Sequence, residues 1–218
     1  MARKAGRPRQ EALSREKILE AALSLIDAHG VEAFSMRRLA AALEVDPMAI
    51  YHYLPNKEAI LRGLIELIFA NLHVPPTENA SWEETVRACA HAYYDAVRAH
   101  PQLIIYVVGD VDLVMHAALS ANNEQLYAAL FNAGLDARQV FYAVSLIIDY
   151  LHGCLLGESA MQNSDPTSML QHFEQSTTDQ YPAIRRVVEA IQQEPISDVF
   201  GFDIGLNIIL AGIKTLVK

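Results

Sequence analysis

The stretch from Ser35 to Lys57 constrains the fold more than any other part of the chain, because it predicts two short helices joined by a tight turn. Ser35 is a good N-cap for the first helix, since its hydroxyl can accept a hydrogen bond from an N–H of the first turn. Asp46 can cap the second helix, and Pro47 suits its first position, where no N–H is needed. Two helices joined in this way form a helix-turn-helix, whose second helix enters the major groove of DNA.

The second of these helices, predicted from Pro47 to about Tyr53, carries three aromatic rings. Ile50 faces inward, and Tyr51, His52 and Tyr53 occupy other directions. An ordinary pair of packed helices with a solvated aromatic face has the same spacing. Such a pair has little need of three rings on so short a helix, so the pattern favours DNA contact without deciding it.

This region resembles the DNA-binding signature of the tetracycline-repressor (TetR) family of transcription regulators. The residues that carry the likeness read AxxLxVDPMAIYHYLPNKEAIL, and the preceding GVEAFSMR at 30–37 resembles the link between the first two helices of that family. The resemblance implies a ligand-responsive regulator, most simply a repressor of a palindromic operator. It also implies phosphate contacts and base contacts, which carry different information. The expected phosphate contacts are Arg37, Tyr51, Tyr53 and Lys57, and the expected base contacts are Met48, Ala49 and His52.

Composition and charge fit a globular protein with a local basic region. The 218 residues are 52% hydrophobic and 20% charged, which is enough to bury a sizeable core. Residues 1–72 hold ten basic and nine acidic side chains, whereas the remaining residues hold seven and seventeen. This balance allows contact with DNA through the N-terminal part only. Within that part, residues 1–13 predict a basic arm that either touches DNA or is a solvated terminus without function.

The chain shows no sign of a secreted or membrane-spanning protein, so the cytoplasm is the expected compartment. Cys89 and Cys154 are far apart and predict reduced, buried thiols rather than a disulfide framework. The basic N-terminus leads into no apolar segment of the secretory type. The apolar run from Val140 to Leu156 is about 17 residues, shorter than a membrane span requires.

Helical spacing of apolar residues recurs along the whole chain, and no strand-like alternation is apparent. The expected fold is therefore all-α, with a three-helix head over residues 1–55 and a larger effector-binding and dimerisation body over 56–218. Capping patterns predict the helix starts, and Gly or Pro predict several ends. The expected helices are 14–29, 35–43, 47–53, 57–73, 81–99, two pieces within 103–118, 120–133, 136–156, 183–193 and 200–216, with a loop over 158–181.

Two helices of the body, 136–156 and 200–216, carry more apolar surface than a monomer of this size needs. In the TetR family the corresponding helices pack against their copies as a four-helix bundle, so the resemblance implies a homodimer. The alternative is that both helices are buried within one chain. A dimer also provides the two half-site contacts that specific operator binding requires. We expect Gly205 and Gly212 to lie where the backbones of the two subunits approach closely.

The body resembles most closely the tetracycline-binding members of the family, and that resemblance implies an effector pocket. His73, Cys89 and Tyr93 fall at ligand-contacting positions, whereas Val107 and Leu126 replace a magnesium-binding histidine and a glutamine. The departures predict a more apolar effector than a metal–tetracycline chelate, with no metal and no cofactor. Each residue could equally be plain core. The expected lining is Cys89, Tyr93, Ile104, Val107, Leu126, Tyr127 and Phe141, with His73 and Asp149 fixing the orientation of the ligand.

An enzyme and a helical adaptor protein are the alternatives to a DNA-binding regulator. The sequence lacks HExxH, GxSxG and a phosphate-binding glycine loop, which argues against an enzyme. His152 and Cys154 stand two residues apart on one predicted helix and cannot face a single site together. A helical adaptor that binds another protein would leave the pattern from Tyr51 to Lys57 unexplained.

Overall fold

The computed structural model describes residues 12–72, 74, 79–109, 121–161, 181–193 and 201–217. Within these ranges the chain forms ten α-helices and a short 3₁₀ turn at Pro101–Leu103, without a strand, which confirms the all-α prediction. The helices are α1 Arg15–His29, α2 Met36–Ala42, α3 Pro47–Tyr51, α4 Lys57–Ala70, α5 Trp82–Arg98, α6 Ile104–Gly109, α7 Ala121–Asn132, α8 Ala137–Met161, α9 Pro182–Gln193 and α10 Phe202–Lys214.

The N-terminal unit extends to Asn71 and the second unit begins at Leu72. The predicted boundary after residue 55 is therefore displaced, because α4 packs against α1 and belongs to the head. Gly63 permits this packing, since a Cβ at that position would lie 2.9 Å from the Leu19 side chain. Arg15 and Glu66 add an ion pair of 2.8 Å between the same two helices.

Side-chain caps start the helices of the head as predicted. The side-chain oxygens of Ser14, Ser35, Asp46 and Asn56 each accept a hydrogen bond from a backbone N–H of the following turn. Helix α3 is shorter than predicted and ends at Tyr51. The Tyr53 and Leu54 N–H groups both donate to the Ile50 carbonyl, so the chain tightens and leaves the helix there.

The second unit is built on α5, α7 and α8, which pack against one another. Ser81 and Glu84 form the predicted capping box at α5. Asp136 and Gln139 exchange hydrogen bonds of 2.9 Å with each other's backbone N–H before α8. Helix α8 continues to Met161, past the predicted end, so the predicted loop starts too early. Residues 162–180 lie outside the described part of the chain.

Helix α8 is longer than its apolar run suggested. It has 25 residues and contains an 18-residue window with a mean hydropathy of 1.6, so it is long and apolar enough to cross a membrane by length and composition alone. The length argument against a span was therefore wrong. One side of α8 packs against α5, α6, α7 and α10, and buries residues such as Ile147 and Leu151. The apolar residues on that side of α8 are therefore explained by packing in the protein core.

The first turn of α10 is held by α5 and α8. The Tyr150 hydroxyl lies 3.1 Å from the Gly201 carbonyl and 3.0 Å from the Phe202 carbonyl. The Phe202 ring stacks on the ring of Tyr94 at 4.0 Å. A Cβ at Gly205 would overlap the Tyr150 ring. The expectation for Gly205 is thus corrected, because the close approach at this glycine is made within one chain.

Candidate DNA-binding surface and effector site

The helix-turn-helix exposes the side chains that were expected to meet DNA. Met48 is 72% exposed and Tyr51 is 40% exposed, whereas Ile50 in the same helix is fully buried. Arg37 on α2 and His52 after α3 are also exposed. We call the exposed side of the hairpin the recognition surface, and its expected contact residues are Arg37, Met48, Ala49, Tyr51 and His52. Within α3 only Ile50 is fully buried, whereas Pro47 and Ala49 are half-buried.

Lys57 and Tyr53 are each hydrogen-bonded to other segments of the head. The Lys57 Nζ donates to the carbonyl of Val31 at 2.8 Å and to that of Phe34 at 3.5 Å, and it lies 5.8 Å from the Phe34 ring centroid. The Tyr53 hydroxyl donates to the carbonyl of Leu13 at 2.9 Å. An ammonium has three donors, so these bonds leave room for a phosphate contact. The sequence did not predict that both residues also fasten the helices of the head.

Most of the expected effector-site residues are buried in the second unit. Five of the expected residues are at most 5% exposed, and a sixth, Tyr127, is half-buried. Burial raises the pKa of the Cys89 thiol to about 11, so this group stays a neutral thiol at physiological pH. The buried members of the expected lining are Cys89, Tyr93, Ile104, Val107 and Leu126.

A polar pair joins α5 and α8 within this buried region. The Tyr93 hydroxyl and the His152 Nε2 atom lie 2.6 Å apart, and the two rings are tilted by 44°. Burial lowers the pKa of His152, against an opposing effect of Asp149, and it raises the pKa of Tyr93. Both groups are therefore neutral near pH 7. The sequence argument missed His152, because it compared this residue only with neighbours on its own helix.

Three expected site residues are not part of the buried group. Phe141 is 58% exposed, and Asp149 is exposed on the same helix, so neither lines an interior pocket of a single chain. The cause is the rotation of α8, which turns other residues toward α5. His73 lies outside the described residues.

Helices α8 and α10 each present an exposed apolar face. Tyr142 and Leu146 are 64% and 52% exposed on α8, and Ile204 and Ile208 are 64% and 69% exposed on α10. We call these four residues and their neighbours the bundle face. Side chains of this kind gain free energy when a partner surface covers them.

Two glycines complete the bundle face. Gly153 follows Leu146 at helical spacing on α8, and Gly212 follows Ile208 on α10. A Cβ added at either glycine would meet no atom of this chain within 4 Å, leaving aside neighbours in sequence and the helix's own backbone. The face is therefore open at both positions in a single chain.

An open groove of about 500 Å³ lies beside the start of α5 and along α7. Its lining is mostly neutral amides and small side chains, and it includes Trp82, the only tryptophan of the chain. None of the expected effector residues lines it. Its lining consists of Asn79, Ala80, Trp82, Thr85, Gln125, Ala128, Ala129 and Asn132. Among the described residues no group of three His, Cys, Asp or Glu side chains is placed to hold a metal ion.

Comparison with known proteins covers most of the chain with two family models. The model for "Bacterial regulatory proteins, tetR family" matches residues 18–64, which contain the helix-turn-helix. The model for "Tetracyclin repressor-like, C-terminal domain" matches residues 74–217, which form most of the second unit. The division between the units, after Asn71, lies between the two matched ranges.

Curated and solved relatives agree with these matches. The tetracycline repressor protein class C of Escherichia coli is 26% identical over 94% of this chain and 92% of its own length. The HTH-type transcriptional repressor DrrR1 of Streptomyces coeruleorubidus is 25% identical over 99% of this chain and 82% of its own length. The crystal structure of the TetR family protein ActR of Streptomyces coelicolor with actinorhodin has a TM-score of 0.77 at 24% identity, covering 93% of this chain and 96% of that one. The chain therefore belongs to the tetR family of bacterial regulatory proteins and is a DNA-binding transcriptional regulator.

Proposed function

We propose that this regulator is a dimeric repressor, released from a palindromic operator by a small aromatic or lipophilic effector without a metal ion. The observation that carries the proposal is the separation of two sites. The head has an exposed recognition surface, whereas the body has a buried apolar cluster with one neutral polar pair. A ligand-responsive repressor needs both a DNA-binding surface and an effector site. The effector changes DNA binding only if its affinity differs between two states of the protein.

The recognition surface supports a division between two kinds of DNA contact. Met48 and His52 extend from α3 and its end, where the residues of a recognition helix reach base edges. Arg37 and Lys57 supply positive charge at the starts of α2 and α4. Phosphate contacts of this kind add affinity without sequence information, and base contacts add specificity.

The bundle face supports a dimer of this chain. A single head offers few base contacts, and a twofold dimer places two recognition helices in successive major grooves. The exposed apolar side chains of α8 and α10 give a surface that a second copy would cover. This use also accounts for the apolar composition of α8 without a membrane, and we place the protein in the cytoplasm with its DNA.

The effector site supports an apolar ligand. Val107 and Leu126 stand where the resemblance placed a metal-binding histidine and a glutamine, and both are buried. An isopropyl or isobutyl side chain has no lone pair to donate to a metal ion. Walls of this kind with few polar groups are typical of sites for small apolar molecules. ActR, which shares this fold, was crystallised with actinorhodin.

The route between the two sites is proposed to be α4. It follows the helix-turn-helix directly and ends at Ala70, two residues before the second unit begins at Leu72. A ligand that favours one position of the end of α4, through His73 in our proposal, would change the separation of the two heads. Coupling energies between such sites are typically about 1–3 kcal/mol. His73→Ala should therefore leave the operator affinity of the free protein nearly intact and weaken release by ligand.

Release of DNA in the presence of a chelator tests this function. The protein would be bound to the duplex from upstream of its own gene, and neutral bicyclic aromatic compounds such as 2-naphthol would be added in buffer containing EDTA. We expect release that is unchanged when Mg²⁺ replaces EDTA. Release that requires Mg²⁺, or no effect of any neutral aromatic compound, would contradict the proposal.

A further inference from the structure

The Tyr93–His152 pair has a chemistry that the family resemblance does not assign. We infer that this pair is the polar anchor of the effector site and that it selects a neutral aromatic effector carrying a hydroxyl or carbonyl oxygen. The inference rests on the proposed effector function of the body. It adds a requirement for an oxygen substituent, which an apolar pocket alone would not impose.

The geometry gives a strong hydrogen bond between two helices that border the buried cluster. Tyr93 is 5% exposed on α5, and its hydroxyl oxygen is 2.6 Å from the His152 Nε2 atom on α8. Cys89 lies one helical turn before Tyr93 and is also buried. Tyr93 is buried and His152 is half-buried, so losing this bond would leave the Tyr93 hydroxyl without a partner in a region of low dielectric constant.

A neutral tyrosine–histidine pair can present either a donor or an acceptor to a third group. When the Tyr93 hydroxyl donates to Nε2, the imidazole carries its proton at Nδ1 and presents an N–H donor there. When Nε2 carries the proton and donates to the tyrosine oxygen, Nδ1 is an acceptor and the hydroxyl becomes a donor. The first form suits an aryl carbonyl, and the second suits a phenol. The ligand oxygen thus selects the form without any net proton uptake.

The surroundings favour a neutral ligand over an anion. Apart from tyrosines and cysteines, the buried polar residues in the described part of the chain are Thr85 and Asn123, and neither carries a charge. An anionic carboxylate placed there would lose its hydration without gaining a buried cation, which costs far more than burying a neutral oxygen. The pair therefore discriminates by charge as well as by hydrogen bonding.

A series of ligands on one ring frame tests the inference. Naphthalene, 2-naphthol, 2-acetonaphthone and 2-naphthoate would be titrated into the full-length protein by calorimetry at pH 7.5. We expect the naphthol and the ketone to bind about 2- to 10-fold more tightly than naphthalene, the equivalent of one net hydrogen bond. The carboxylate should bind more weakly than either. Equal affinities for naphthalene and the oxygenated compounds would overturn the inference while leaving the proposed function intact.

Substitutions at Tyr93 and His152 test whether this pair causes the preference for oxygenated ligands. Tyr93→Phe and His152→Leu should each abolish the preference for the oxygenated compounds, and the double variant should lose no more than either single one. The matched control is Tyr94→Phe, which removes the neighbouring buried hydroxyl that contacts Glu158 instead. A preference that survives in folded Tyr93→Phe, or that is lost equally in Tyr94→Phe, would contradict the assignment. If a variant does not fold by circular dichroism, the wild-type series alone decides. Failure of all four compounds to bind would contradict both the inference and the proposed function.

Discussion

At the scale of single residues, Lys57 illustrates how one side chain can serve both the fold and the DNA. Its ammonium group caps the carbonyls of Val31 and Phe34 in the link between α1 and α2. It also lies at the start of α4, where a phosphate would be attracted by the helix dipole. Removing the charge should therefore have two effects. Loss of the hydrogen bonds within the head should lower the stability of the free protein, and loss of the phosphate contact should lower its affinity for DNA.

Replacing Lys57 by methionine should reduce both stability and DNA affinity. The partly buried hydrogen bonds to the Val31 and Phe34 carbonyls lose their charged donor, so we expect a loss of about 1–3 kcal/mol in the free energy of unfolding. Binding to operator and to random DNA should weaken similarly, and the slope of log affinity against log salt should fall by about 0.9 if a phosphate contact is lost. Denaturant unfolding and anisotropy titrations at several salt concentrations measure the two effects.

Arg37→Met is the matched control for Lys57→Met, because Arg37 is exposed on the recognition surface. It should reduce the salt slope by a similar amount without loss of stability. His52→Ala should instead relax the preference for particular base pairs. Equal losses on operator and random DNA for all three variants would contradict the division between phosphate and base contacts. An unchanged unfolding free energy for Lys57→Met would contradict its role in the head.

His152 predicts how stability depends on pH. Its pKa in the folded protein lies below its ordinary value of 6.5, so the unfolded chain takes up the proton first as the pH falls. This difference lowers the free energy of unfolding as the pH drops from 6.5 toward the folded-state value. We therefore expect wild-type protein to lose more stability between pH 7.5 and 5.5 than His152→Leu does. Parallel pH profiles of unfolding for the two proteins would exclude this role.

At the scale of elements, local chemistry predicted where helices begin, and packing decided the rest. A cap needs only the N-cap residue and its following turn, and so Ser14, Asp46 and Ser81 were identified correctly. The end of α8 at Met161 and the contact of Tyr150 with Gly205 depend on neighbouring helices. His152 was missed for the same reason, since its partner Tyr93 comes from another helix.

Gly205 tests the attachment of α10 to the rest of the body. Gly205→Ala should destabilise the protein by about 1–3 kcal/mol, because the new methyl group overlaps the Tyr150 ring and forces the helices apart. Gly109→Ala is the control, since a Cβ at Gly109 meets nothing within 4 Å. Thermal unfolding followed by circular dichroism compares them. If the two variants melted at the same temperature, the packing of Tyr150 under α10 would not be a source of stability.

At the scale of the whole molecule, the family and the all-α fold could be predicted from the sequence. The proposed dimer and its response to an effector depend instead on which side chains the packed helices leave exposed. The aromatic motif from Tyr51 to Lys57 identifies the family, because few other functions need those residues at that spacing. The expected pocket was predicted only in part. Buried apolar positions such as Val107 and Leu126 follow from helical spacing, but the rotation of α8 that exposes Phe141 does not.

The dimer predicts that bulk on the bundle face separates the subunits without unfolding them. Gly153→Leu and Gly212→Leu should each shift the protein toward monomer, because the added side chain has room in one chain but would obstruct a partner's helix. Gly109→Leu should leave the assembly unchanged. Light scattering at micromolar concentration reports the mass. A monomeric wild-type protein, or dimeric forms of both glycine variants, would contradict the proposed interface.

The most direct test of the account is the binding of the full-length protein to the duplex upstream of its own gene, measured by fluorescence anisotropy beside a random duplex of equal length. The account predicts tight binding of two chains per palindromic site, with affinity for the upstream duplex at least about 1,000-fold higher than for the random one. His52→Ala should reduce that ratio, and Arg37→Met should not. Equal affinity of the wild-type protein for the two duplexes, or a ratio that His52→Ala leaves unchanged, would contradict the claim that the recognition surface reads DNA sequence.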